Sequence, residues 1–424
     1  MSVGIDFGTT NSVVAIAPAE GELAVAQHEP GKSSGNFRSV LCFVKSEARF
    51  SGPVIKAGPE AMAAYLEYGS DCRLIQSVKS MAANGNFTGT IIFGRRYSIE
   101  DLIALVLKGL RASTERHLAP MGHAAIAGRP VRFAGQFADE ALALKRLREA
   151  FGMAGFSDLE FVAEPLGAAY KFASRITTPQ LCVIADFGGG TSDFSLVRFR
   201  PEGERLAMDT LGTSGVGIAG DRLDFRIIEK AVCPKLGMGT HYLSMDKRLP
   251  IPSHYYARFQ RWSDLSFLRT PETFRELRTL KRMAETPEAL DRLIYIIEEE
   301  LGFDLYRAVS ATKSALSAEE TAVLEFKHGP VQISETITRA DFNRWIAEDL
   351  AAIDAEVTKL FGESGLTPAE VDHVFLTGGT SFVPAIRDLM AARFPEAKFS
   401  AEDEFISVAA GLALYGRERM RAEG

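Results

Sequence analysis

Cysteine is scarce in this 424-residue chain: Cys42, Cys72, Cys182 and Cys233 lie far apart and form no C-x-x-C pair. That usage offers neither a zinc site nor a disulfide framework, and it reads as reduced thiols in a cytoplasmic protein. Long apolar runs are lacking as well. Even the stretch from Leu102 to Leu110 is broken by Lys108, far short of the roughly eighteen residues of a membrane span, so no membrane partner is expected. At the start, Asp6 stands where a secretory signal needs a basic and then an apolar stretch. Basic residues are not in excess either, since 48 Lys and Arg face 55 Asp and Glu for a net charge of −7. This removes the electrostatic case for a nucleic-acid partner, but not for phosphate, because a small anion is bound by local dipoles rather than by net charge. What the chain does have is 46% hydrophobic residues with 24% charged, enough to fill more than one core at this length.

It also has a repetition. "VGIDFGTTNSVVAIA" from Val3 and "VIADFGGGTSDFSLVRF" from Val183 each carry an Asp-Phe-Gly turn followed by hydroxyls, with strand-like residues on both sides. Each reads as a β-hairpin. Between them, the periodicity predicts a helix over about 97–118, a strand in "RPVRFAGQF" at 129–137, and a helix in "DEALALKRLREAFGMAG" with Leu144, Leu147 and Phe151 on one face. "LEFVAEPLGAAYKF" reads as a strand running into a helix, with Pro165 in the first turn leaving the Glu164 carboxylate at the junction. Further on, "GVGIAGDRLDFRIIEKAV" is a glycine loop opening a helix. The region from about 237 to 318 reads as charged and helical, with Leu290, Ile294, Ile297 and Leu301 as a core stripe and Arg275, Arg278, Lys281 and Arg282 on a solvated face. A third glycine turn, Gly378-Gly379-Thr380, follows a strand and opens a helix bearing Ile386, Leu389, Met390 and Phe394.

Glycine turns let backbone amides converge on phosphate oxygens without side-chain collision. Gly8-Thr9-Thr10 and Gly188-Gly189-Gly190-Thr191 can line one polyphosphate, and Gly378-Gly379 adds a helix-start dipole for another phosphate or the nucleoside. The carboxylates beside them, Asp6, Asp186 and Asp193, would repel bare phosphate and make sense with magnesium between.

The series resembles the actin-like ATPase superfamily, and within it the nucleotide-binding domain of the seventy-kilodalton heat-shock protein (DnaK-type) family. "GIDFGTTNS", "VKSM", "FVAEPLGAAYKF", "IADFGGGTSDFSL", "GIAGDRLD" and "FLTGGTSFVPAIRDL" follow that family's order from end to end, and "PSHYYARFQRW" is similar to its short YegD-like branch. The resemblance implies an α/β, actin-like (ribonuclease-H-like) fold of two lobes with mixed sheets around a central nucleotide cleft. Lobe I would span 1–181 with an insert at about 39–96, lobe II 182–397 with a helical insert at about 229–318, and 398–424 would return to lobe I. Neither the family's interdomain linker nor its peptide-binding domain is matched.

Function follows by the same resemblance: a magnesium-dependent ATPase with ATP or ADP as ligand. Lys79, Glu164, Asp186, Thr191 and Asp193 would be catalytic, with Lys79 reaching the γ-phosphate or the attacking water and Asp186 or Asp193 orienting that water or taking its proton. Asp6 and Asp186 would hold magnesium through its waters. Gly8, Thr9, Thr10, Asn11, Gly188, Gly189, Gly190 and Thr191 would contact phosphates, while Gly220, Asp221, Lys313, Ser317, Gly378, Gly379 and Thr380 would surround the nucleotide. Protein clients or co-chaperones are implied without being named. Ser310 and Ser314 stand where the family's adenosine clamp carries Glu and often Arg, and losing such a charged partner costs about 1.5–3 kcal/mol. A nucleotide sensor with little turnover is therefore an alternative, beside a small-molecule kinase or a filament-forming relative on the same scaffold.

Overall fold

In the computed structural model of the chain, both Asp-Phe-Gly segments are antiparallel hairpins. The structure describes residues 1–28, 35–46, 52–130, 133, 138–173, 176–202, 205–245, 247–362, 364–400 and 407–423. The strand expected over 129–137 falls largely outside them. Two compact units result: Met1–Gly217 with Ile353–Ser381 and Met390–Gly424, and Ile218–Ala352 with Phe382–Leu389.

The first unit holds two mixed sheets. In one, β1 (Ser2–Phe7), β2 (Asn11–Ala17) and β3 (Ala24–Val25) form an antiparallel meander, and β4 (Ala124–Arg129) and β5 (Asp158–Ala163) add in parallel on the other side of β1. Parallel neighbours need a crossover. Helix α1 (Ile99–His117) leads into β4, and α2 (Glu140–Met153) joins β4 to β5. Both helices start on a side-chain cap. Ser98 and Asp101 exchange hydrogen bonds in a capping box, and Asp139 accepts from the Leu142 amide. Their apolar faces cover the sheet, with Leu107 and Phe151 buried against Ile5 and Phe7. The helix α3 (Glu164–Ala173) follows β5 without a linker.

The second sheet repeats five of the six described strands of the first, which also has Phe37–Arg38 paired with β2. Strands β6 (Gln180–Phe187), β7 (Ser192–Glu202) and β8 (Arg205–Val216) form the meander, and β9 (His373–Thr377) and β10 (Lys398–Ser400) add in parallel beside β6. The duplication therefore covers a whole five-strand order and not the hairpin alone. Even the registers agree, since Phe7 faces Ser12 as Phe187 faces Ser192. A shared core ties the two sheets together: Val162, Ala169, Ile184, Phe199 and Phe375 pack with Val408 and Leu412 of α4 (Ser407–Glu423). A Cβ at Gly411 would lie inside van der Waals distance of the Gly167 carbonyl, so glycine is what lets α3 and α4 approach this closely.

In the second unit, Leu290, Ile294, Ile297 and Leu301 are buried as the helical spacing predicts. The basic face is solvated, with Arg278 paired to Glu298 at 3.5 Å and Lys281 to Asp291 at 2.5 Å. The stretch 237–318, read as charged and helical, does carry several helices, but its beginning is corrected by a hairpin, His241–Ser244 against Lys247–Pro250. Its turn at Met245 has neither Gly nor Asn to announce it.

Candidate functional site

Five of the residues expected to carry chemistry converge in the first unit. Asp6 and Asp186 are the penultimate residues of β1 and β6, so each carboxylate leaves its sheet just before a glycine turn. Asp193, near the start of β7, is the cross-strand partner of Asp186. At the equivalent place opposite Asp6 stands Val13, so the repeat carries its third aspartate on one side only. Glu164 is the first residue of α3, with Pro165 accommodated in the first turn. Lys79 comes from the 3₁₀ turn Val78–Met81. It is 8% exposed, and its Nζ donates to Glu164 Oε1 at 2.8 Å and lies 5.9 Å from the Phe7 ring centroid.

One ammonium among four carboxylates leaves the cluster short of positive charge. Burial, then repulsion by Glu164 and Asp186, pushes Asp6 up to about 8, although Lys79 opposes the shift. Burial and then Glu164 lift Asp186 to about 6, against the Thr377 hydroxyl and Lys79. Asp193 is raised to about 7, chiefly by burial, with the Thr191 hydroxyl donating to it at 2.7 Å and partly offsetting the rise. For Lys79, burial alone would lower the pKa; Glu164 and Asp6 outweigh it, so the group is held charged. The donors are all oxygen and the surplus is negative, which suits a hard, hydrated divalent cation. Among the described residues no group of three or more His, Cys, Asp or Glu is placed to hold a metal ion together.

The turns themselves are tied in shape. Ser39 donates to the Gly8 carbonyl at 2.8 Å, and Thr380 donates to the Gly188 carbonyl at 2.9 Å, the same device in each half of the repeat. Thr9 and Thr10 complete the first turn and Asn11 opens β2; Gly189, Gly190 and Thr191 complete the second, closed by the Gly188 amide donating to the Thr191 carbonyl at 3.0 Å. Gly378 adopts φ +81°, and a Cβ there would sit 2.8 Å from Asp186 Oδ1. Only glycine lets this third turn lie so close to the aspartate. Gly379 opens a 3₁₀ turn and the α-helix begins at Pro384, so the expected helix-start dipole does not sit at the glycine pair.

The expected nucleoside residues Gly220, Asp221, Lys313 and Ser317 belong to the second unit. Gly220 and Asp221 open the helix Gly220–Ile227. Lys313 donates to the Gly220 carbonyl at 3.1 Å and pairs with Asp224 at 2.9 Å, while Ser317 donates back to the Lys313 carbonyl at 3.3 Å. Ser310 and Ser314 are exposed. Sequence reasoning missed Asp224, whose i,i+3 spacing from Asp221 at a helix start was the available signal. It missed Ser39 and Thr377 too, which act on the site through pairing between distant segments and carry no local signature.

The carboxylate cluster and Lys79 lie before residue 299, and Lys313, Ser317 and the Gly378-Gly379-Thr380 turn lie after it. That later part, residues 299–417, matches the family described as Hsp70 protein, which supports a relationship to the Hsp70 and actin-like ATPases and suggests an ATP-binding, chaperone-like ATPase.

Proposed function

We propose that the chain hydrolyses magnesium-ATP to ADP and phosphate as an ATPase of the heat-shock-seventy type, with the nucleotide cycle opening and closing the two lobes expected from the sequence. The observation that carries this reading is the Lys79–Glu164 pair set among Asp6, Asp186 and Asp193 beside three glycine turns. Lys79, held charged, stabilises the negative γ-phosphate and the charge that develops as the anhydride bond breaks. Asp193, with a pKa near neutrality, accepts the proton of the attacking water, and Thr191 holds that carboxylate in place. Asp6 and Asp186 are the residues that would hold magnesium through water, and the ion would supply charge neutralisation on the phosphates when bound. Deleting such a group costs about a hundredfold or more in rate. Lys79→Ala and Asp186→Asn are therefore expected to abolish turnover while ADP still binds, read by phosphate release and calorimetric titration. An unchanged rate in either variant overturns the proposal, and negligible hydrolysis restored by a metabolite acceptor would favour a kinase.

A second reading, a nucleotide sensor with little turnover, is favoured by the commitment of Lys313 to Asp224 and the Gly220 carbonyl. Tight nucleotide binding without phosphate release in the wild-type protein would select it.

A further inference from the structure

The turn that presents Lys79 is closed by its own bonds, the Ser80 amide and hydroxyl both donating to the Ser77 carbonyl at 3.1 and 2.7 Å, but the segment that follows it is held from outside. The turn begins at Ser77, which has φ +56° and ψ +32°, a left-handed conformation that a non-glycine residue adopts only when its surroundings impose it. It ends where the Ala82 amide donates to the Lys79 carbonyl at 3.0 Å. From there the chain runs through a series of backbone carbonyls pointing at one side chain, Arg146 on α2. Arg146 is 5% exposed, and its guanidinium donates to Ala82 O at 3.0 Å, Asn84 O at 3.0 Å and Phe87 O at 3.1 Å, with Met81 O at 3.4 Å. Glu100 on α1 sits 3.1 Å from its Nε and balances the charge. A guanidinium is the one side chain with enough fixed donors to satisfy this many acceptors at once.

We infer that Arg146 is a positioning residue for Lys79, clamping the segment that follows the lysine so that a strained turn delivers its ammonium to Glu164 and the reacting phosphate. The inference rests on the proposed ATPase reading. A displacement of about 1 Å in a reacting group can cost about a hundredfold in rate without touching ground-state binding, and Arg146 contacts only the backbone beyond Lys79 and the balancing Glu100, none of it phosphate-binding. Its loss should therefore fall on turnover rather than on affinity.

The test uses Arg146→Lys, which keeps the charge but not the fork, and Glu100→Gln, which loosens the guanidinium while leaving the clamp's donors in place. Single-turnover ATP hydrolysis, calorimetric ATP affinity and a thermal melt are measured for each. The expected result is a rate loss of tenfold or more in Arg146→Lys and a smaller loss in Glu100→Gln, with ATP affinity within about threefold of wild type in both. An unchanged rate in folded Arg146→Lys overturns the inference, as does a parallel loss of rate and affinity, which would mean a general structural role. Should Arg146→Lys not fold, an unchanged rate in Glu100→Gln overturns it. Wild type and Lys79→Ala are run alongside: no hydrolysis by wild type means that the ATPase reading has failed, normal hydrolysis by Lys79→Ala removes the role of the lysine and the clamp with it, and an inactive Lys79→Ala beside a fully active Arg146→Lys sinks only the clamp.

Discussion

Gly378→Ala separates two effects that are usually confounded. Gly378 sits at φ +81°, where any L-residue is strained, and an added Cβ would also meet the Phe187 backbone, with its carbonyl carbon at 2.5 Å, and Asp186 Oδ1 at 2.8 Å. Gly94, in the same unit, has φ +77° with nothing within 4 Å of its would-be Cβ. Left-handed backbone costs an alanine roughly 1–2 kcal/mol, so Gly94→Ala should lose about that much. Gly378→Ala adds the cost of pushing backbone aside, about 1–3 kcal/mol, for a total of about 2–5 kcal/mol. The assay is urea unfolding of both variants, with midpoints compared at unchanged m-value, and phosphate release on the folded material. Because the atoms that must yield are Asp186 and the carbonyl before the Gly188 turn, Gly378→Ala should also lose turnover, while Gly94→Ala keeps it. Equal destabilisation of the two variants would refute the close-approach argument and leave φ alone as the reason for glycine.

Two further predictions concern protons. Asp6 at about 8 and Asp193 at about 7 are largely or half protonated at pH 7, so binding magnesium and nucleotide should release about one proton; calorimetry in two buffers of different ionisation enthalpy measures it, and no net release would contradict the charge-deficit reading of the site. His28 is buried, with Nδ1 2.9 Å from Ser113 Oγ, and burial followed by the nearby His117 lowers its pKa from 6.5 to about 4. The unfolded chain then binds the proton first, so this contribution is complete above pH 6.5 and is lost as pH falls towards 4, on the order of 3 kcal/mol at most. Urea midpoints between pH 7.5 and 4.5 should fall less in His28→Gln than in wild type, and an identical fall would remove His28 from the account.

Local signals made much of this molecule legible. The hairpins around Asp6 and Asp186 announce themselves by strand residues on both sides of glycine, and α3 by the Pro165 that starts it. Asp6 and Asp186 are legible for the same reason, since each stands just before a glycine turn that reads as a phosphate nest. What stayed hidden is whatever depends on pairing at long range. Arg146 reads in sequence as one more polar position on an amphipathic helix, yet it is buried against carbonyls some sixty residues away. Ser77 gives no sign of a left-handed backbone, since nothing in "QSVKS" demands it. The hairpin at His241–Pro250 has no glycine or asparagine between its strands and sits among charged helical segments, which conceals it in the sequence.

The packing of α4 on the first sheet joins segments that lie far apart in sequence. Ala409, Ala410 and Ala413 form one apolar layer with Val13, Ala15 and Ala17 of β2, and Gly4 of β1 has no room for a side chain against Ala409. The strand that carries Asp6 thus keeps one face uncovered until a helix some four hundred residues further along the chain docks on it. Contacts between segments this far apart in sequence form slowly, because the loop between them must close before they give any return. In refolding from urea, the docking of α4 on β1 and β2 should therefore be a late step, following formation of the local hairpins.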